Sequence, residues 1–171
     1  GAGGIGKGRL AQAVAHASVE HWPDGVWTVE LAGLSEPLLL PNAIAGALDF
    51  EIMGKDTALE ELVAGLVPRT TLLVLDNCEH LLDAVVRSVE VVLRAAPGVT
   101  LLATSQEPLR TPDEQQFRVG PLAVPQETEA RGAREFGAVA LFEARVRAVD
   151  PGFALNEETA KLVIEICRRL D

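Results

Sequence analysis

The residues able to do chemistry fall at three places, and the first is the opening turn. Gly1-Ala2-Gly3-Gly4-Ile5-Gly6-Lys7-Gly8 fits the spacing G-x-x-x-x-G-K-[ST] up to its last position. Glycines let the backbone curl until successive N–H groups face one concavity, and such a concavity takes an anion. A following helix adds the partial positive charge of its N-terminus, and Lys7 adds a full charge. The chemistry expected is capture of the phosphates of a nucleotide by Gly1, Ala2, Gly3, Gly4, Ile5, Gly6, Lys7, Gly8 and Arg9. A glycine-rich turn that happens to precede a lysine is the plainer alternative. The last position departs from the pattern. Ser or Thr there would offer a hydroxyl to Mg2+, whereas Gly8 has no side chain. Water is expected to replace that ligand, with phosphate binding surviving better than hydrolysis, which needs an accurately placed metal.

The second place is Leu72-Leu73-Val74-Leu75-Asp76-Asn77-Cys78-Glu79-His80. An apolar run of strand length that ends in Asp puts a carboxylate at a strand tip, where a nucleotide crevice opens. Asp76 is the expected metal residue, holding Mg2+ through water. Glu79 is expected to polarise an attacking water and Asn77 to orient it. Capping of the next helix by Asp76 and Asn77 is the structural alternative. His80 reads as a helix-surface residue. The third place is Leu101-Leu102-Ala103-Thr104-Ser105. Hydroxyls of Thr104 and Ser105 at a second strand tip would reach a γ-phosphate or its water, or would simply cap a strand-to-turn junction.

Around these places the periodicity predicts alternating helices and strands. Residues 7–21 carry Leu10, Val14 and Ala17 at helical spacing. Strands are expected over 26–31, 70–75 and 99–104, with a short edge over 117–119. Helices are expected over 43–48, 57–66 and 79–95, the second opened by a capping box of Thr57 with Glu60. The continuous apolar run of 70–75 points to a strand buried on both faces, as in a parallel sheet. Residues 126–137 turn polar and charged and read as a linker. Two helices follow, over 138–149 and 157–170, with Asn156 as an N-cap and Asp150-Pro151-Gly152 as the turn between them. The fold class is therefore α/β, an open parallel sheet with flanking helices. The domain reading is a core over 1–125, a linker over 126–137 and the start of a helical subdomain over 138–171.

Composition sets the outer bounds. Of 171 residues, 48% are hydrophobic but only 4% aromatic, so Leu, Val, Ala and Ile must fill the core. The net charge of −10 repels a phosphate backbone, so DNA is expected to be gripped only by domains outside this segment. Cys78 and Cys167 share no metal-ligand spacing and read as reduced thiols of a cytoplasmic protein. No run is long and apolar enough to suggest a membrane partner. The chain opens without Met and stops inside a helical pattern, so it reads as a piece of a longer protein.

These pieces carry a resemblance. The chain resembles the NB-ARC-type P-loop NTPase domain of bacterial STAND regulators, signal-transduction ATPases with numerous domains. In particular it resembles the multidomain transcriptional activators of actinomycete type. The matching stretches are residues 1–10, 72–82, 102–109, 120–122, 140–145 and 164–171. The resemblance implies a P-loop NTPase fold whose central first strand precedes Gly1, and an ARC-like helical subdomain closing over the nucleotide. It also implies a switch held closed by ADP and opened by ATP, with self-association in the ATP state. Such proteins carry an Arg after the Thr-Ser pair that senses the γ-phosphate, and here Gln106 stands in that place, able to donate a hydrogen bond but not a charge. The expected function is an ADP- and ATP-binding regulatory switch using Mg2+, with weak or lost hydrolysis. The alternatives are a catalytically dead scaffold and, against the absence of an arginine-rich lid, a small-molecule kinase.

Overall fold

The computed structural model describes residues 2–54, 56–126 and 132–170, so Gly1, Lys55, Asp171 and positions 127–131 of the expected linker lie outside the described residues. The chain forms two compact units, Gly1–Val119 and Gly120–Asp171.

Among the described residues the first unit is built on a parallel sheet of three strands in the order β1-β2-β3: β1 (Val26–Glu30), β2 (Thr71–Asp76) and β3 (Val99–Ala103). β2 is central, and its residues from Thr71 to Leu75 are all buried. Side chains alternate across a strand, and β2 uses both faces. Leu72 and Val74 pack on Ala11 and Ala15 of α1 (Lys7–Ser18). Leu73 and Leu75 join the larger cluster with Ile44 of α2 (Leu40–Ala47), Leu62 of α3 (Ala58–Leu66) and Val85 of α4 (Leu82–Ala95). Two buried faces explain why the strand reads as unbroken apolar sequence. Ala at the contact face of α1 brings that helix close to β2, which fixes the opening turn above the strand tips.

Three sequence expectations need correction. The helix over 79–95 begins as a 3-10 turn, Glu79–Leu81, and becomes α-helical only at Leu82. Asn77 lies in the left-handed region with φ 68°, which swings the chain off β2 before a helix can start. The expected capping box does not form: Thr57 stands at the N-cap of α3 without a side-chain hydrogen bond to the helix start, and its hydroxyl pairs with Glu61, not Glu60. Thr57 Oγ1 donates to Glu61 Oε1 at 2.7 Å, and the same carboxylate accepts the N–H of Met53 at 2.8 Å and of Gly54 at 2.9 Å. Residues 117–119 form no strand; Phe117 is 81% exposed, so burial contributes little to ordering an extended edge there. Among the described residues β3 is bonded to a strand on one side only. Its other edge borders a groove of about 740 Å3 lined in part by Leu10, Val14, Leu93, Leu102 and Phe117.

The second unit pairs α5 (Gly137–Val149) with α6 (Glu157–Leu170) through Val139, Ala160, Val163, Ile164 and Cys167. Asn156 caps α6 as expected: its Oδ1 accepts the N–H of Glu158 at 3.0 Å and of Thr159 at 2.9 Å. Asp150 Oδ1 accepts the N–H of Gly152 at 3.0 Å, closing the turn. Part of the expected linker is ordered in this unit, because Ala133 is buried and Arg134 donates both Nε and Nη2 to Glu143 at 3.0 Å. Glu143 is only 7% exposed and also meets Arg147 at 2.9 Å, so its buried charge is paired twice.

Truncation of Leu73, which is fully buried on the larger face, is expected to cost about 2–5 kcal/mol. Urea unfolding followed by circular dichroism should show Leu73→Ala with a lower midpoint and an unchanged slope.

Candidate functional site

The opening turn is shaped by glycine. Gly4 has φ 72° and Gly6 has φ 98°, both in the left-handed region that side chains disfavour. Gly6 sits at the N-cap of α1, and its carbonyl accepts the N–H of Leu10 at 3.0 Å, the first helical bond. No side chain caps the helix, and its first turn has no acidic residue. The leading N–H groups of α1 and the positive end of its dipole are therefore not used by a capping carboxylate. Lys7 folds back over the loop, where its Nζ donates to the carbonyl of Ala2 at 2.8 Å.

The strand tips meet this turn. Parallel pairing of β2 with β3 sets Leu75 beside Ala103, so the next residues, Asp76 and Thr104, come side by side. Thr104 is buried, and its hydroxyl donates to Asp76 Oδ1 in a short contact and accepts the N–H of Asn77 at 3.0 Å. Its backbone is tied twice, N–H to the Leu75 carbonyl at 2.9 Å and carbonyl to the Cys78 N–H at 3.0 Å. Glu79 Oε1 accepts from Gln106 Nε2 at 2.8 Å. Glu79 Oε2 is buried and has no hydrogen-bond partner among the described residues.

Burial pushes the Glu79 carboxyl up, but the Gln106 hydrogen bond, its own backbone N–H and the fields of Lys7 and His80 outweigh it. The carboxyl therefore ends below its ordinary value and is ionised at neutral pH. Cys78 goes the other way. Burial first, then the charges of Glu79 and Asp76, push its thiol up to about 12. His80 is exposed, with Nε2 at 2.9 Å from the Leu34 carbonyl, in keeping with a surface role.

A cleft of about 390 Å3 lies between the turn and the tips. From the turn it is lined by Gly3, Gly4, Gly6, Lys7, Gly8 and Arg9, and from the tips by Asp76, Asn77, Glu79, Thr104 and Gln106. Other expected residues stand outside it. Ala2 is exposed and holds Lys7, Ile5 is half-buried without lining the cleft, and Gly1 lies outside the described residues. Ser105 borders the groove along β3, and its Oγ accepts the N–H of Glu107 at 3.2 Å. Gln106 reaches the cleft as a partner of Glu79, a role that residue spacing did not reveal. The described residues hold no cluster of three or more His, Cys, Asp or Glu able to bind a metal. A divalent cation here would need oxygens from its own ligand, which is how Mg2+ binds beside phosphates. No helix among the described residues is long and apolar enough to cross a membrane.

No family model and no solved structure matches the chain. Curated proteins do. Over all 171 residues it is 39% identical to a Mycobacterium bovis protein named as an HTH-type transcriptional regulator, of which it spans 18%. It is 35% identical over 171 residues to a second, uncharacterized Mycobacterium bovis protein, of which it spans 41%. Over 114 residues it is 31% identical to the regulatory protein AfsR of Streptomyces griseus, spanning 11% of that protein. The chain is thus similar, along its whole length, to a segment of longer proteins that include transcriptional regulators.

Burial and the high thiol pKa of Cys78 predict an inert side chain. Thiol titration with a disulfide reagent at pH 8 should leave Cys78 unmodified in the folded chain and label it after denaturation.

Proposed function

We propose that the chain is an ADP- and ATP-binding switch module of the P-loop NTPase class, of STAND and NB-ARC kind, acting within a longer cytoplasmic transcriptional regulator. The observation that carries this reading is the cleft itself: an uncapped helix start, a lysine and an acidic strand tip face one space of about 390 Å3. A polyphosphate with a bound divalent cation offers both charges that such a space needs.

In this reading the leading N–H groups of α1 take phosphate oxygens, and the Lys7 ammonium exchanges the Ala2 carbonyl for one of them. Arg9 adds positive charge at the rim. Mg2+ bound with the nucleotide would spread the phosphate charge. Asp76, held by Thr104, would be the protein group offered to that cation, and Asn77 keeps Thr104 in place through its N–H. Glu79 presents one oxygen that has no partner among the described residues, suited to accept from a water. Its lowered pKa makes it better at orienting that water than at taking its proton.

Hydrolysis is therefore proposed to be slow or absent. Gly8 brings no hydroxyl and Gln106 brings no charge to the phosphate end. The Gln106 bond to Glu79 favours the second reading, a binding module without turnover. Contacts with DNA fall to other segments of the longer protein, in line with a charge of −10 here. Self-association belongs to the ATP-bound state of that longer protein.

Calorimetric titration with ADP tests the reading. A charge-assisted contact of the lysine is worth about 1.5–3 kcal/mol, so Lys7→Ala should weaken binding by about 10- to 100-fold. A folded chain that takes up no ADP at millimolar nucleotide would remove the proposal.

A further inference from the structure

Gly8 brings the first turn of α1 up against the Asp76 carboxylate. A Cβ built on Gly8 would stand 2.8 Å from Asp76 Oδ2, 2.9 Å from Oδ1 and 3.2 Å from Cγ. Real Cβ atoms essentially never come within 3.0 Å of another heavy atom, so any side chain at position 8 forces something to move. The carboxylate has little freedom to do so. Its Oδ1 is held by the Thr104 hydroxyl, and Thr104 is fixed by the N–H of Asn77 and by two backbone bonds to Leu75 and Cys78. The Asp76 backbone is tied as well, its carbonyl accepting the N–H of Leu31 at 2.9 Å. The space beside Gly8 thus belongs to the Asp76 carboxylate.

We propose that the bare Cα of Gly8 is what lets Asp76 stand against the first turn of α1 and bind a nucleotide's divalent cation directly, so that glycine is the functional residue at this position rather than a lost hydroxyl ligand. The inference rests on the nucleotide reading above and changes the roles of both residues within it. Two consequences follow from charge. Without a cation, a carboxylate pressed against the helix start opposes an incoming phosphate. With one, the same carboxylate favours it, so cation and nucleotide each raise the affinity for the other. A side chain at position 8 displaces the carboxylate and breaks that coupling while leaving the loop amides and Lys7 in place.

The test is ADP affinity by calorimetry in excess Mg2+ and in EDTA, for the wild-type chain and for Gly8→Ala, Gly8→Thr and Asp76→Asn. Mg2+ should tighten wild-type binding by about tenfold or more. Gly8→Ala and Gly8→Thr should lose most of the Mg2+ enhancement, read for each variant as the ratio of its own affinities in the two buffers. Asp76→Asn should bind ADP more tightly than wild type in EDTA and show no enhancement. Ala is the better helix former at a position inside α1, so its loss of Mg2+ dependence would not reflect a melted helix. An enhancement in Gly8→Thr equal to or above that of wild type overturns the inference, as does an enhancement retained by Asp76→Asn. Either result, with EDTA binding intact, leaves the nucleotide reading standing. No ADP binding by the folded wild-type chain in either buffer removes both.

Discussion

The arrangement at the cleft depends on one hydrogen bond, from the Thr104 hydroxyl to the Asp76 carboxylate. It joins the tips of neighbouring parallel strands just past their last paired residues, Leu75 and Ala103. A carboxylate at a strand end would otherwise turn to solvent. Thr104 turns it inward and is itself buried, with the Asn77 N–H on its oxygen. Asn77 can donate there because it adopts a left-handed φ of 68°, and that same twist delays the following helix to Leu82. The 3-10 turn that fills the delay carries Glu79, so the placement of the second carboxylate follows from the restraint on the first.

The electrostatics follow from this crowding. Asp76 and Glu79 lie with Lys7 and Arg9 around one space, and the thiol of Cys78 is forced toward its neutral form by burial and by both carboxylates. Glu79 stays ionised because Gln106 and Lys7, with its own N–H, more than offset its desolvation. A site with fixed charges of both signs suits a ligand that also carries both signs, more than it suits a bare anion or a bare metal.

Much of the frame was legible in the sequence because it rests on local pattern. The runs over β2 and β3 read as strands since apolar sequence on both faces demands helices on both sides. Gly4 and Gly6 read as a curled turn, and Asn156 as a cap, from residue type alone. The misses are local and settled by tertiary contacts. Glu61 rather than Glu60 joins Thr57 because it must also take the N–H groups of Met53 and Gly54, which spacing does not show. The run at 117–119 has strand-like residues but no burial for Phe117. At the site, the pairing of Gln106 with Glu79 and the approach of Asp76 to Gly8 join residues 27 and 68 positions apart, beyond the reach of any periodicity.

The departures at Gly8, from the phosphate-loop spacing, and at Gln106, from the Arg that the resemblance implies, share a physical effect. Gly8 admits the Asp76 carboxylate to the start of α1, and Gln106 bonds Glu79 while its amide lies 3.5 Å from the place a Cβ on Gly3 would take. Lys7, meanwhile, holds the carbonyl of Ala2. Each contact spans the turn or links it to the strand tips, so the cleft satisfies much of its own polar surface. A ligand entering it must exchange these bonds rather than simply add new ones, and the net gain per exchanged bond is small. In the proposed reading such exchanges keep the affinity for any one nucleotide modest, which suits a regulatory module more than a fast enzyme.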